Sequence, residues 1–309
     1  MSSLQSYFVK TTMKFFTRHH QGLDKNNPYS IEQIRQSFDQ ACQQLPVPSK
    51  LKVRYDSLND VPVAWLNMPE SKPERLMVFF HGGGYCLGTL KGYLGLGARL
   101  AKYNTCQVLL VDYRLAPEHP CPAAIEDAIA AYKGVLKNYL PHQIILAGDS
   151  AGGGLICALL QALKERMLSM PAATILMSPW TDLRGTSPSI EQKNKIDPVL
   201  NSYILERLGI LYRGDIPTDD PMVSPLLGNF SDFPPSLIQV GTEEVLLDDS
   251  RQLAEQLEAV NRHVQLEIFD GMFHVWQLFA AFLPEAKTAL LQIAAFTDKQ
   301  WQQHMYSQN

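Results

Sequence analysis

The chain has 309 residues, of which 46% are hydrophobic and 19% charged, and a formal net charge of −4. That length and apolar content suffice for a large buried core, in one big α/β domain with insertions or in two small ones. There is no basic surplus to point to nucleic acid and no run of about 18 apolar residues to suggest a membrane span.

The first residues, Met1-Ser2-Ser3-Leu4-Gln5-Ser6-Tyr7, lack the apolar stretch of a secretory leader. The cysteines, Cys42, Cys86, Cys106, Cys121 and Cys157, are odd in number, and no two lie at metal-ligand or redox spacing. Reduced, buried thiols in a cytoplasmic protein are expected, with no metal and no cofactor. In chain order, residues 1–45 read as a helical cap segment. Ser30-Ile31-Glu32-Gln33 forms a capping box that opens its second helix. The first helix sets Lys10, Lys14, Arg18, His19 and His20 beside Leu4, Phe8, Phe15 and Phe16. Its aromatics are expected to pack over a pocket, and a membrane-surface role is the competing reading.

Residues 46–309 read as one catalytic domain. Strands are expected at 51–55 and 61–67, joined as an antiparallel hairpin through a turn at 56–60. A third strand, 75–80, runs into His81-Gly82-Gly83-Gly84. Three glycines let backbone N–H groups turn inward toward an anion, and the missing Gly-Lys-Ser/Thr ending argues against a phosphate loop. A helix at 91–103 and a fourth strand at 106–111 follow, then a helix at 123–138. The fifth strand, 143–147, meets Gly148-Asp149-Ser150-Ala151-Gly152 where a helix, 152–167, begins. In that context G-x-S-x-G reads as a nucleophile elbow presenting Ser150, with the N–H of Ala151 as a second anion donor and the helix dipole behind it.

A sixth strand is expected at 173–178, then an insertion at 183–219 that becomes helical from Asp197 and suits a lid. The seventh strand, 236–240, is followed by Glu243, Glu244, Asp248 and Asp249. A serine hydroxyl needs a base and a group that orients the base, and on this architecture the order is serine, acid, histidine. Glu244, closer to the strand end than Asp248 and Asp249, is the first choice of acid and Asp248 the second, since Asp248 or Asp249 also suits the N-cap of a helix at 250–260. After the eighth strand, 264–269, His274 occupies the loop that can reach Ser150. A final helix spans 284–300. Alternating strands and helices specify a mostly parallel sheet covered on both faces.

Taken together and in this order, His81-Gly82-Gly83-Gly84, Asp112-Tyr113-Arg114-Leu115-Ala116-Pro117-Glu118, Gly148-Asp149-Ser150-Ala151-Gly152, Ser178-Pro179-Trp180-Thr181-Asp182, Ser224-Pro225-Leu226 and Gly271-Met272-Phe273-His274 resemble the hormone-sensitive-lipase-like family of α/β-hydrolases over roughly residues 50–300. The resemblance implies the α/β-hydrolase fold, an eight-stranded, mostly parallel sheet with a helical cap. It also implies a bacterial-type carboxylesterase for short- to medium-chain acyl esters. It carries over Ser150 as nucleophile, His274 as base, and the N–H groups of Gly83, Gly84 and Ala151 as oxyanion hole. The chain departs at the acid: where the family has Asp-Pro-Leu-x-Asp, this sequence has Glu244-Val245-Leu246-Leu247-Asp248.

Of the remaining matched residues, His81 is expected to brace the glycine loop and Asp149 the elbow. Asp112, Arg114 and Glu118 are expected to form a buried charged cluster. Tyr85, Trp180, Phe273 and Trp276 either line the acyl or alcohol pocket or belong to the core. The expected partner is a small-molecule ester, with no nucleic acid and no stable membrane insertion. The eighth strand, at the sheet edge, is available for pairing in a homodimer. Three alternatives stay open: amide or thioester cleavage by the same residues, a non-catalytic ligand-binding member, and a structural partner with a vestigial site.

Overall fold

In the computed structural model, which describes residues 3–7, 9–11 and 30–306, strand β3 (Lys72–Phe80) is exposed for three residues and then buried for six. Leu76, Val78 and Phe80 enter one hydrophobic cluster, Met77 and Phe79 another. A strand buried on both faces needs helices on both sides of its sheet. The other strands are β1 (Lys52–Leu58), β2 (Val61–Asn67), β4 (Cys106–Val111), β5 (Ile144–Asp149), β6 (Ala173–Met177), β7 (Ser236–Gly241) and β8 (Val264–Phe269). They form one eight-stranded sheet in the order β1-β2-β4-β3-β5-β6-β7-β8. β2 is antiparallel to β1 and β4, and the pairings from β4 to β8 are parallel. β8 lies at an edge, as expected.

The helices are α1 (Ile31–Gln43), α2 (Leu94–Asn104), α3 (Ala123–Val135), α4 (Ala151–Glu165), α5 (Pro188–Lys193), α6 (Ser202–Arg213), α7 (Leu247–Ala259) and α8 (Pro284–Tyr306). α3, α4, α6 and α7 supply Ile129, Leu159, Leu208 and Leu253 to the larger cluster. α2 and α8 supply Leu100 and Ile293 to the other. Parallel strands therefore all deliver their carboxyl ends to one rim, where loops carry function in open α/β sheets.

Three local expectations change. The hairpin turn is shorter than 56–60: Leu58 still pairs with Val61, and Asn59 and Asp60 alone turn the chain at φ 47° and 69°, a backbone region these two residue types tolerate. The main insertion helix starts at Ser202, not at Asp197. The Asp197 carboxylate instead closes a turn onto the N–H groups of Val199 and Leu200, and Asn201 caps α6 by accepting from Ile204 N at 2.9 Å. α7 starts at Leu247, which puts Asp248 and Asp249 in its first turn rather than at its N-cap.

The capping box at Ser30 forms, with Gln33 N donating to Ser30 Oγ at 3.3 Å and Ser30 N to Gln33 Oε1 at 2.9 Å. Residues 4–7 and 9–11 are helical. Phe8, Lys14, Phe15, Phe16, Arg18, His19 and His20 lie outside the described residues. Lys10 Nζ donates to the Glu243 carboxylate at 3.0 Å and to Gly271 O at 3.2 Å, so this helical segment docks beside the loop that carries His274.

Leu146 sits fully buried in the middle of β5. Leu146→Ala is expected to destabilise the fold by about 3 kcal/mol, read as a lower urea midpoint; an unchanged midpoint would contradict the central placement of β5.

Candidate active site

β5 ends at Asp149 and α4 starts at Ala151, so the chain reverses at Ser150 alone. Ser150 adopts φ 52°, ψ −120°, a conformation that costs a non-glycine residue free energy and persists only where its surroundings enforce it. Here they do. Ser150 N donates to Met177 O at 2.8 Å, and Ser150 O accepts from Trp180 N at 2.9 Å. A Cβ on Gly152 would run into the Phe80 carbonyl oxygen, and one on Gly148 would lie 2.7 Å from the Gly152 backbone. Small residues at these two positions are thus a packing requirement of the turn.

Beyond β3 the glycine loop turns through Gly83 and Gly84 at φ 114° and 60°. Among the described residues, the N–H groups of Gly83, Gly84 and Ala151 have no protein acceptor. The last of these belongs to the first turn of α4, where N–H groups lack intrahelical partners. Asp149 ties elbow and loop together, accepting from Gly82 N at 2.8 Å and Tyr93 Oη at 3.0 Å. Burial pushes its carboxyl up to about 6, against the pull of these hydrogen bonds. His81 braces the loop: Nδ1 donates to Gly82 O at 2.8 Å, and the ring stacks on Tyr113. Burial pulls its pKa down to about 4, so it is a neutral support.

Helices α1 and α6 grip the same loop. Arg35 donates to Cys86 O and Ala116 O, each at 2.7 Å. On α6, Leu208 lies 2.5 Å from where a Cβ on Gly84 would sit, and Tyr212 stacks on Tyr85 with centroids 3.6 Å apart.

The next two strand ends bring a carboxylate to an imidazole. His274 Nδ1 donates to Glu244 Oε2 at 2.9 Å. The other oxygen, Glu244 Oε1, accepts from Gly241 N at 2.6 Å and Ser178 Oγ at 2.9 Å. Ser178 Oγ also accepts from Val275 N at 3.3 Å, linking the acid to the histidine loop. Glu244 is fully buried and His274 is 5% exposed. Burial opposes a charge on His274, but the hydrogen bond and charge of Glu244, with the charges of Asp197 and Asp149, outweigh it, and its pKa lies above the ordinary 6.5.

Asp248, the other candidate acid, is engaged elsewhere, accepting from Ser189 N at 2.8 Å and Arg251 Nη1 at 3.0 Å. Asp249 accepts from Thr181 N, Asp182 N and Ser187 Oγ. Asp112, Arg114 and Glu118 do not cluster. Arg114 pairs with Asp127 at 2.8 Å and Glu118 with Arg35 at 2.7 Å, both near half exposure on their own side, because each long side chain reaches a neighbouring helix rather than the interior. Tyr85, Trp180, Phe273 and Trp276 are all at most 2% exposed. Their rings meet other rings: Tyr212 and Trp180 for Tyr85, Phe279 for Phe273, Phe269 for Trp276.

The alpha/beta hydrolase fold family matches residues 77–278. An esterase of Acinetobacter venetianus is 36% identical over 293 residues, 94% of this chain and 95% of that one. A crystal structure of an esterase from the bacterial hormone-sensitive lipase family superposes with a TM-score of 0.92 at 34% identity, covering 97% of this chain and 99% of that one. The chain belongs to the hormone-sensitive-lipase-like family of α/β-hydrolases. An acetyl-hydrolase of Streptomyces hygroscopicus is a further relative, 38% identical over 229 residues, 74% of this chain and 77% of that one. The hydroxyl of Ser178, in the motif Ser178-Pro179-Trp180, accepts from Val275 N, the residue that follows Gly271-Met272-Phe273-His274. Sequence reasoning noted Ser178 only as part of a motif, and its place at the end of β6 was the available signal. Leu208, Tyr212 and the contacts of Asp197 gave no such signal.

Gly152→Ala is expected to lower stability by about 3 kcal/mol, because strand β3 or the elbow must shift to admit the methyl. A thermal unfolding midpoint equal to the parent's would contradict the close approach to Phe80.

Proposed function

We propose that this carboxylic ester hydrolase uses Ser150 as nucleophile, His274 as general base and acid, and Glu244 as the group that orients the imidazole. Gly83, Gly84 and Ala151 supply the N–H groups that receive the oxyanion. The observation that carries the reading is the buried 2.9 Å contact between His274 Nδ1 and Glu244 Oε2, on the same sheet rim as a serine held at positive φ.

With Nδ1–H given to Glu244, the lone pair of His274 Nε2 is the base. It takes the Ser150 proton as Oγ attacks the ester carbonyl, and the carbonyl oxygen becomes the oxyanion of a tetrahedral intermediate. His274 then protonates the departing alcohol as the C–O bond breaks, leaving an acyl-serine. A water attacks in its turn, again losing its proton to His274, and the carboxylic acid leaves as Ser150 recovers its proton. Each oxyanion donor is worth about 2.7–4 kcal/mol of barrier. The described part of residues 1–45 and the insertion 183–219 form the cap of this reading, consistent with the grip of α1 and α6 on the glycine loop. No helix among the described residues is long and apolar enough to cross a membrane. All five cysteines are free and buried, which suits the reducing cytoplasm.

Ester hydrolysis is supported by the names of the relatives, and short acyl groups by the acetyl-hydrolase among them. An esterase crystal soaked in p-nitrophenyl butyrate superposes at a TM-score of 0.91 and 30% identity, covering 97% of this chain and 99% of that one. Each buried methylene adds about 0.8 kcal/mol until the pocket ends. On p-nitrophenyl esters, kcat/KM is expected to peak at about four to eight acyl carbons; efficient turnover of emulsified long-chain triglyceride would contradict this.

Ser150→Ala is expected to lower kcat on p-nitrophenyl butyrate by about 10⁶-fold with unchanged circular dichroism. Glu244→Gln is expected to lose about 10⁴-fold, whereas Asp248→Asn stays within about twofold; the reverse ranking would move the acid to Asp248. The imidazole acts as base only when neutral. With its pKa raised, activity is full above that pKa and is lost as pH falls through it, so the acid limb of kcat/KM is expected above pH 6.5. A limb well below that value, or a flat profile, would count against His274.

A further inference from the structure

A second buried carboxylate stands beside the His274–Glu244 pair and takes no proton in the scheme above. Asp197, in the insertion between β6 and β7, is 8% exposed. Its Oδ2 accepts from Val245 N, the residue after Glu244, at 3.0 Å. Its Oδ1 accepts from Val199 N at 2.8 Å and Leu200 N at 3.1 Å. Val199 in turn packs against the cluster of Phe273 and Trp276, which flank the His274 loop. One side chain thus joins the insertion to the segments that carry both the acid and the base. A nearby stitch, Ser189 Oγ donating to Val245 O at 2.7 Å, holds the same stretch through a neutral group.

We propose that Asp197 is a positioning residue for the catalytic pair: it fixes the backbone that carries Glu244 and sets a second negative charge against His274. The proposal rests on the triad reading above. A neutral cap would have sufficed for the turn, as Asn201 does for α6, and burying a carboxylate is costly unless its charge is used or compensated. The use is the imidazolium, which forms in both halves of the turnover. The charged groups that face His274 are Glu244, Asp197 and Asp149, and those that face Asp197 are His274 and Glu244. Burial raises the Asp197 carboxyl to about 6; His274 pulls it back and Glu244 adds to the rise. The proposal requires this carboxylate to be ionised at the pH where His274 acts as base.

The test compares Asp197→Asn, which removes the charge and one acceptor, with Asp197→Glu, which keeps the charge. Active sites are counted by stoichiometric labelling with a serine-directed phosphonate, so that loss of folded protein is not read as loss of kcat. For Asp197→Asn the acid limb of kcat/KM is expected to move to lower pH by up to about one unit. kcat per labelled site falls about tenfold, with KM little changed. Asp197→Glu is expected to return the limb to the parent position. Superimposable limbs for Asp197→Asn and the parent would overturn the proposal, as would equal displacement in Asp197→Asn and Asp197→Glu. Without any variant, a ¹³C carboxyl shift showing Asp197 protonated at pH 8 in the parent enzyme would also overturn it. None of these results touches the triad itself, which fails instead if Ser150→Ala retains turnover.

Discussion

The sharp reversal at Ser150 is the constraint from which the rest of the rim follows. A side chain at φ 52° stays there because two neighbouring segments hold its backbone and because the helix behind it approaches β3 so closely that no Cβ fits at Gly152. This contact also sets where α4 begins, and with it the free N–H of Ala151. The same helix then packs Leu159 and Leu163 into the larger core, so the strain of one residue is offset by the burial of many. Position at the elbow and stability of the sheet are in this sense one problem.

Around that turn the protein collects negative charge. Glu244, Asp197 and Asp149 all act on His274, and each is itself held by backbone N–H groups from another element: Gly241 for Glu244, Val245 for Asp197, Gly82 for Asp149. In a buried setting such a field, in place before the reaction, stabilises the imidazolium once it forms, without reorganisation when the proton arrives. The same hydrogen bonds stitch the insertion and the glycine loop to the sheet. Within the insertion expected as a lid, α6 bears directly on Gly84 and Tyr85; in the proposed reading it would shape the glycine loop.

Much of this architecture was legible in the residues. The apolar runs at 75–80 and 106–111 end at the residues where β3 and β4 end, because a strand buried on both faces leaves a continuous hydrophobic signature; the edge strand β8, which has no fully buried residue, also ends at the expected Phe269. Glu244 stood out because it lies closer to the end of β7 than Asp248 and Asp249, which fall in the first turn of α7 and bind other segments. What escaped notice depends on contacts between distant parts of the chain. Ser178 meets Val275 across 97 positions and Asp197 meets Val245 across 48, and nothing local marks a serine or an aspartate for such a partner. The start of α6 was misplaced for a related reason: Asp197 satisfies a turn of its own before Asn201 caps the helix. Arg114 and Glu118, expected as buried charges because no charged substrate is indicated, instead reach out to α3 and α1.

The central claim is that the serine at the elbow, the imidazole and the three free N–H groups converge on one carbonyl. A crystal structure of the enzyme inactivated by a p-nitrophenyl alkylphosphonate measures this directly. The account predicts a phosphorus–oxygen bond to Ser150 Oγ, the phosphoryl oxygen within hydrogen-bond reach of the Gly83, Gly84 and Ala151 N–H groups, and His274 Nε2 beside the remaining oxygen. An adduct on another residue, or a phosphoryl oxygen directed away from the glycine loop, would contradict it.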